Sequence, residues 1–222
     1  RGDNPFDIRM KDPDRTLLVI PCSGAKREGA EKGAGRSILD DLPGELADRL
    51  TEARDALAQR AERDEQNLIP AWRRNAGTFY VSAADALEHA VGKRLHVLIL
   101  SGGYGVVRAD EPIGTYNMRM KLSNWPRGLL EDVLLAYCRR HGITTVRAFV
   151  SASTDYGKLV RRVPWQKAGV EDAIVLSPES APGAMVKAPR AEGEAFAALL
   201  SGELSPEWRS SDGLRLDALM VP

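Results

Sequence analysis

Short aliphatic runs alternate along this chain with longer stretches in which apolar residues recur every three or four positions. Residues 16–20 read Thr-Leu-Leu-Val-Ile and stop at Pro21-Cys22-Ser23-Gly24, which predicts a buried strand followed by a loop. Residues 46–66 place Leu46, Leu50, Ala53, Leu57 and Ala61 at helical spacing between charges, which predicts a long amphipathic helix with a solvated outer face. Residues 78–81 read as a short strand or an extended segment. Ser82 is the expected N-cap of a helix over 83–91 that Gly92 ends. Residues 95–100 form the clearest strand, apolar throughout except for His96, as an interior parallel strand requires. Asn124 is the expected cap of a helix over 127–141 that buries Leu129, Leu130, Val133, Leu134 and Tyr137 and stops at Gly142. A strand over 144–150, a helix near 156–163, a strand over 173–176 and a helix over 191–200 complete the pattern. The tail after Gly202 is weakly patterned.

Strands that alternate with helices predict an α/β fold: a largely parallel sheet with flanking helices. One domain over residues 1–222 is expected, with a mobile excursion at 27–37, and neither an internal repeat nor a coiled-coil seam is visible. Parallel sheets bind ligands beyond the carboxyl ends of their strands. Three loops fall there, after Ile20, Leu100 and Val150, and each is rich in Gly, Ser or Tyr. Their convergence predicts one composite site.

Composition narrows the partners. Lysine plus arginine and aspartate plus glutamate both number 31, so the net charge is zero. A non-specific DNA binder is usually basic, because phosphate contacts carry its affinity; neutrality favours a local basic site over a basic surface. Cys22 and Cys138 are too few for a disulfide framework and match no metal spacing, so no metal and no cofactor are expected. A reducing cytoplasm is the simplest location. No apolar run reaches membrane-spanning length, and residues 1–15 lack the apolar core of a signal peptide; Arg1-Gly2-Asp3 reads as a chance tripeptide. Oligomeric state is left open.

Candidate chemistry sits on the three loops. In the first, small residues with Ser23 and Lys26 suit an anion held by backbone amides. Lys26 is also a potential Schiff-base nucleophile, and a solvated lysine in a plain turn fits the spacing equally well. Cys22 reads as a small buried residue at a strand end, and Cys138, inside a helix, as structural. In the second loop, Ser101-Gly102-Gly103-Tyr104-Gly105 fits neither Gly-x-Gly-x-x-Gly nor the P-loop. Its glycines are expected to expose amides or let a ligand ring lie close. Tyr104 offers a stacking face and a hydroxyl, and Arg108 a bidentate clamp for phosphate or carboxylate. Asp110 and Glu111 are acid–base groups or solvated loop carboxylates. In the third, Ser153 or Thr154 caps the following helix, and Tyr156 and Lys158 point back to the site.

The run Leu100-Ser101-Gly102-Gly103-Tyr104-Gly105-Val106-Val107-Arg108, followed by Tyr116 and Met120, resembles the Leu-Ser-Gly-x-Tyr-Gly-x-x-Arg signature of the YaaA family of peroxide-stress proteins. Ser23-Gly24-Ala25-Lys26 resembles that family's Ser-Pro-Ala-Lys, Gly77 with Tyr80 its Gly-x-x-Tyr, and Ser153 with Tyr156 and Lys158 its Ser-x-x-Tyr-x-Lys. The chain departs from the pattern at Thr115 and, in a later element, at Pro182 and Lys187, where the family has proline and two arginines. The resemblance implies a YaaA-like fold, in a divergent member, and a role near DNA and oxidative damage. A fainter likeness joins Pro21-Cys22 and Lys26 to the Pro-Cys-x-x-x-Lys element of the archaeosine synthase domain, which acts on a deazaguanine base.

The sequence therefore predicts an enzyme acting on a nucleotide, nucleoside or nucleic-acid base, at an N-glycosidic bond or a sugar carbonyl. Lys26, Tyr104 and Arg108 are the expected catalytic residues. Ser23, Tyr80, Ser101, Gly102, Gly105, Tyr116, Ser153, Tyr156 and Lys158 are the expected binding residues. A non-catalytic DNA-binding stress protein and a biosynthetic enzyme for a small amine or amino acid are the alternatives.

Overall fold

A computed structural model describes residues 8–33 and 35–222; Arg1-Gly2-Asp3 lies outside the described residues. The chain runs through β1 (Thr16–Pro21), α1 (Gly44–Ala58), β2 (Asp64–Pro70), α2 (Ala71–Arg74), α3 (Thr78–Ser82), α4 (Ala84–Gly92) and β3 (His96–Ser101). It continues through β4 (Gly105–Arg108), β5 (Pro112–Thr115), α5 (Leu129–His141), β6 (Thr145–Ala148), α6 (Asp155–Arg162), β7 (Asp172–Pro178), α7 (Ala184–Ser201) and β8 (Leu216–Met220). Six strands form one sheet in the order β4-β3-β1-β6-β7-β8, and β2 with β5 forms a separate antiparallel ribbon. The four inner strands are parallel; β4 and β8 close the edges antiparallel.

This order fixes where a ligand can sit. From β1 the chain crosses to β3 by way of α3 and α4, and then returns past β1 to β6 by way of α5. Helices α3, α4 and α7 pack on one another, and α1, α5 and α6 form a second group around α5. Right-handed crossovers in opposite directions put the two groups on opposite faces of the sheet. The chain therefore parts at the carboxyl ends of β1 and β6, the topological switch point of a doubly wound sheet.

The inner strands form because they are apolar on both faces: every residue of β1 is buried. Elsewhere the structure corrects the pattern. The helix expected over 46–66 ends at Ala58, and Glu62 takes φ 51°, a left-handed turn that sends the chain into β2. Residues 78–82 form a helical turn and not a strand. Ser82 caps nothing: its hydroxyl donates to the carbonyls of Thr78 and Phe79, and Ala83 precedes α4. Asn124 lies four residues ahead of Gly128, which turns into α5 at φ 80°, and its side chain bonds Arg60 instead. Helix α7 begins at Ala184 and runs through Pro189. Within residues 27–33, Arg27 bonds Arg74 and Glu31 bonds Leu68, and the buried Arg74 guanidinium donates to the carbonyls of Arg27, Gly29, Asn67 and Ile113.

Candidate functional site

A cavity of about 560 Å³ opens at the switch point. Its walls are Pro21–Gly24 after β1, residues 151–154 and Tyr156 after β6, residues 177–180 at the end of β7, residues 77–79 at the start of α3, and part of α7. Among the described lining residues there is no lysine, arginine or histidine, while Glu179, Glu192 and Asp217 are acids. Ser23 holds α3 against this wall: its Oγ accepts the amides of Ala76 (3.2 Å) and Gly77 (3.1 Å). A Cβ on Gly77 would meet Ser23 Cβ at 2.7 Å, so glycine is required for that approach. Thr154 caps α6 by accepting from Gly157, as the sequence predicts.

Cys22 stands where these loops meet. The partly buried thiol lines the cavity, and its sulfur lies 3.0 Å from the Tyr156 hydroxyl. The buried Tyr80 hydroxyl donates to the Pro21 carbonyl at 2.5 Å. The Tyr116 hydroxyl accepts from Ser101 Oγ at 2.8 Å and also reaches Cys22. Burial first, and then the charge of Cys22, pushes all three phenols above their ordinary range. They stay protonated at neutral pH, and those of Tyr116 and Tyr156 can donate to sulfur. Lys26 completes the group from outside the cavity. Its ammonium donates to the Ser23 carbonyl and sits 4.3 Å above the Tyr116 ring. Burial lowers its pKa, and the nearby Cys22 opposes the shift. The lowered pKa favours the neutral, nucleophilic amine, and in its protonated form Lys26 is an electrostatic partner for a thiolate.

Glu192 faces the thiol's cavity from α7. It is 5% exposed, and its carboxylate accepts the Ser151 hydroxyl at 2.7 Å. Burial pushes its pKa up to about 8, against the lowering effect of the Ser151 hydroxyl and amide. Helix α7 reaches the wall because Gly193 has no side chain: a Cβ there would meet Ser82 Oγ at 2.1 Å and the Phe79 carbonyl at 2.5 Å.

The glycines of the Gly-rich loop pack closely against this chain. The loop is the turn of the β3–β4 hairpin. A Cβ on Gly102 would meet the Met118 carbonyl at 2.0 Å, and one on Gly103 the Tyr116 ring at 2.6 Å. The close approach expected of a ligand is thus made by this chain. Gly105 turns at φ 81° against Trp125. Tyr104 is buried, donates to Glu65 at 2.7 Å and accepts the Gly114 amide at 3.0 Å. It holds the β2–β5 ribbon in place and does not line the cavity. Ser101 acts at one remove, through Tyr116.

Arg108 lies elsewhere. Because β4 runs antiparallel to β3, Arg108 sits opposite Leu98, back from the carboxyl edge. Its guanidinium pairs with Asp110 (3.0 Å) and Asp41 (3.2 Å) beside a separate pocket with His96, Tyr137 and His141. Lys158 is exposed and lies 3.8 Å from Asp155. Lys26 and Tyr104 both pack on the Tyr116 ring, at 4.3 Å and 5.7 Å from its centroid, and Arg108 lies apart from them. The structure does bring together Ser23, Tyr80, Tyr116, Ser153 and Tyr156, around Cys22. Pro182 and Lys187, where the chain departs from the YaaA pattern, are exposed at and just after the turn into α7.

Sequence reasoning assigned Cys22 to the core and missed Glu192. The available signals were position and pattern: Cys22 directly follows a fully buried strand, and Glu192 shares an apolar helical stripe with Ala195, Phe196 and Leu199. Among the described residues no group of three or more His, Cys, Asp or Glu is placed to hold a metal ion, and no helix is long and apolar enough to cross a membrane. Fold and cavity together define a doubly wound α/β protein with its site at the switch point. No family model and no curated protein matches the chain.

Proposed function

We propose that this protein is an enzyme acting on a nucleoside or nucleobase held in the switch-point cavity, with the Cys22 sulfur as the attacking atom. The observation that carries this reading is the Cys22 thiol, which lines the cavity with its sulfur 3.0 Å from the Tyr156 hydroxyl. A cavity of about 560 Å³ matches the size range of small-molecule sites. Hydroxyls of Ser151, Ser153, Thr154 and Ser177 beside Phe79, Pro178 and Leu219 suit a ligand with a flat ring and a polar rim. The likenesses of Leu100–Arg108 and of Pro21–Lys26 to proteins of DNA stress and nucleobase chemistry support the same class. A phosphate is disfavoured, since no lysine, arginine or histidine is among the described lining residues.

In this reading the deprotonated sulfur adds to an electrophilic ring carbon. A carbon–sulfur bond forms, the carbon–nitrogen π pair moves to nitrogen, and that nitrogen takes the proton of the Tyr156 hydroxyl. Lys26 and the tyrosine hydroxyls stabilise the thiolate before attack. The experiment is alkylation of Cys22 by iodoacetamide with a panel of nucleosides and free bases present, followed by intact-protein mass spectrometry without the reagent. Protection by one member, and a mass adduct on wild type that Cys22→Ser lacks, are the expected results. If no member protects Cys22 and no adduct or product forms, the proposal fails.

A further inference from the structure

We infer that the ligand of this cavity carries a cationic amidine nitrogen that pairs with the Glu192 carboxyl, as the charged edge of an N1-alkylated adenine would. The inference deepens the nucleoside reading and rests on it for the ring, though not for the charge.

Glu192 is an acid without a counter-charge. It is buried, its side chain bonds the Ser151 hydroxyl, and among the described residues no ion pair reaches it. Buried carboxyls in proteins are normally paired. The titratable groups that share its cavity are Glu179, Asp217, Cys22 and Tyr156, none of them a cation. On its own helix, Arg190 pairs with Asp212 at 3.9 Å, and Glu194 bonds Ser211. The elements packed against α7 offer Asp85 and Glu88 on α4, His89 at that helix's last turn, and Asp172 on β7, which Arg147 holds. None of these lines the cavity. A cation bound in the cavity would therefore meet a carboxyl that no other positive group engages. Burial raises the pKa of Glu192, and a bound cation would lower it again.

An amidinium fits better than a simple ammonium. It is flat, matching a cavity with Phe79 and three prolines on its walls, and its charged amino group donates to a carboxylate. A neutral nucleoside lacks this charge; N1-methylation of adenosine creates it with little change of shape.

Two matched pairs test the inference by titration calorimetry: 1-methyladenosine against adenosine, and benzamidine against benzamide. The cationic member of each pair should bind about tenfold tighter, and Glu192→Gln should abolish both preferences. Binding of the cation to wild type at pH 7 should also release a proton, read from the heat in buffers of different ionisation enthalpy, which needs no variant. Equal affinity within both pairs, or a preference that survives in Glu192→Gln, overturns the inference while leaving adenosine binding, and so the nucleoside reading, intact. A Glu192-dependent preference for benzamidine with no binding of either nucleoside upholds the cation and overturns the nucleoside.

Discussion

The sulfur of Cys22 and the hydroxyl oxygen of Tyr156 lie 3.0 Å apart although 134 residues separate them in sequence. The contact joins the loop after β1 to α6, the two sides of the switch point. A phenol that donates to sulfur stabilises the thiolate, the form that reacts. Tyr156→Phe should therefore slow alkylation of Cys22 by iodoacetamide at pH 7 by about tenfold, the worth of one hydrogen bond to a charged group. An unchanged rate would show that the hydroxyl does not act on the sulfur.

Glu192 makes stability depend on pH. Its pKa rises from 4.5 in the unfolded chain to about 8 in the fold. Between those values the folded protein keeps a proton that the unfolded chain has released. Stability therefore falls as pH rises through this window, and the loss is complete above it. Glu192→Gln should flatten that slope and be more stable than wild type at pH 9, by a few kcal/mol in order of magnitude. Urea midpoints of both proteins at pH 5 and pH 9 read the effect; parallel curves would contradict it.

The glycines of the β3–β4 turn answer to packing. Gly102→Ala drives a methyl into the Met118 carbonyl, and should cost about 3 kcal/mol or prevent folding. Gly92→Ala, at the end of α4 with nothing within 4 Å of the added carbon, should be neutral or slightly stabilising. Thermal unfolding of the two variants separates them.

Arg108 separates the two ends of the sheet. Arg108→Ala leaves the buried Asp41 with His141 alone, which should cost about 1–3 kcal/mol. Nucleoside protection of Cys22 should be unaffected in the variant. Lost protection in a protein that remains folded would put Arg108 back in the site.

The sequence carried the sheet's centre and only part of its rim. Strands β1, β3 and β7 are buried on both faces, so their aliphatic runs are visible without any tertiary knowledge. Strand β2 is exposed along most of its length and exists through pairing with β5, and β8 exists through pairing with β7. Neither pairing has a local signature. Ser153 and Tyr156 were legible because post-strand loops meet at the carboxyl edge. The glycines misled because absent side chains signal a close approach but not by what: here Tyr116 and Met118 approach. Cys22 took its meaning from Tyr156 on α6, and Glu192 from Ser151 after β6, neighbours that no local pattern brings to them.

The most direct test of the central claim is amide chemical-shift mapping of the full chain with a nucleoside or base that protects Cys22. The account predicts that the largest perturbations fall on Cys22–Gly24, residues 151–156, residues 177–180 and Glu192. Perturbations centred on Gly102–Arg108 or on the His96–His141 pocket, with the β1–β6 edge unchanged, would contradict it.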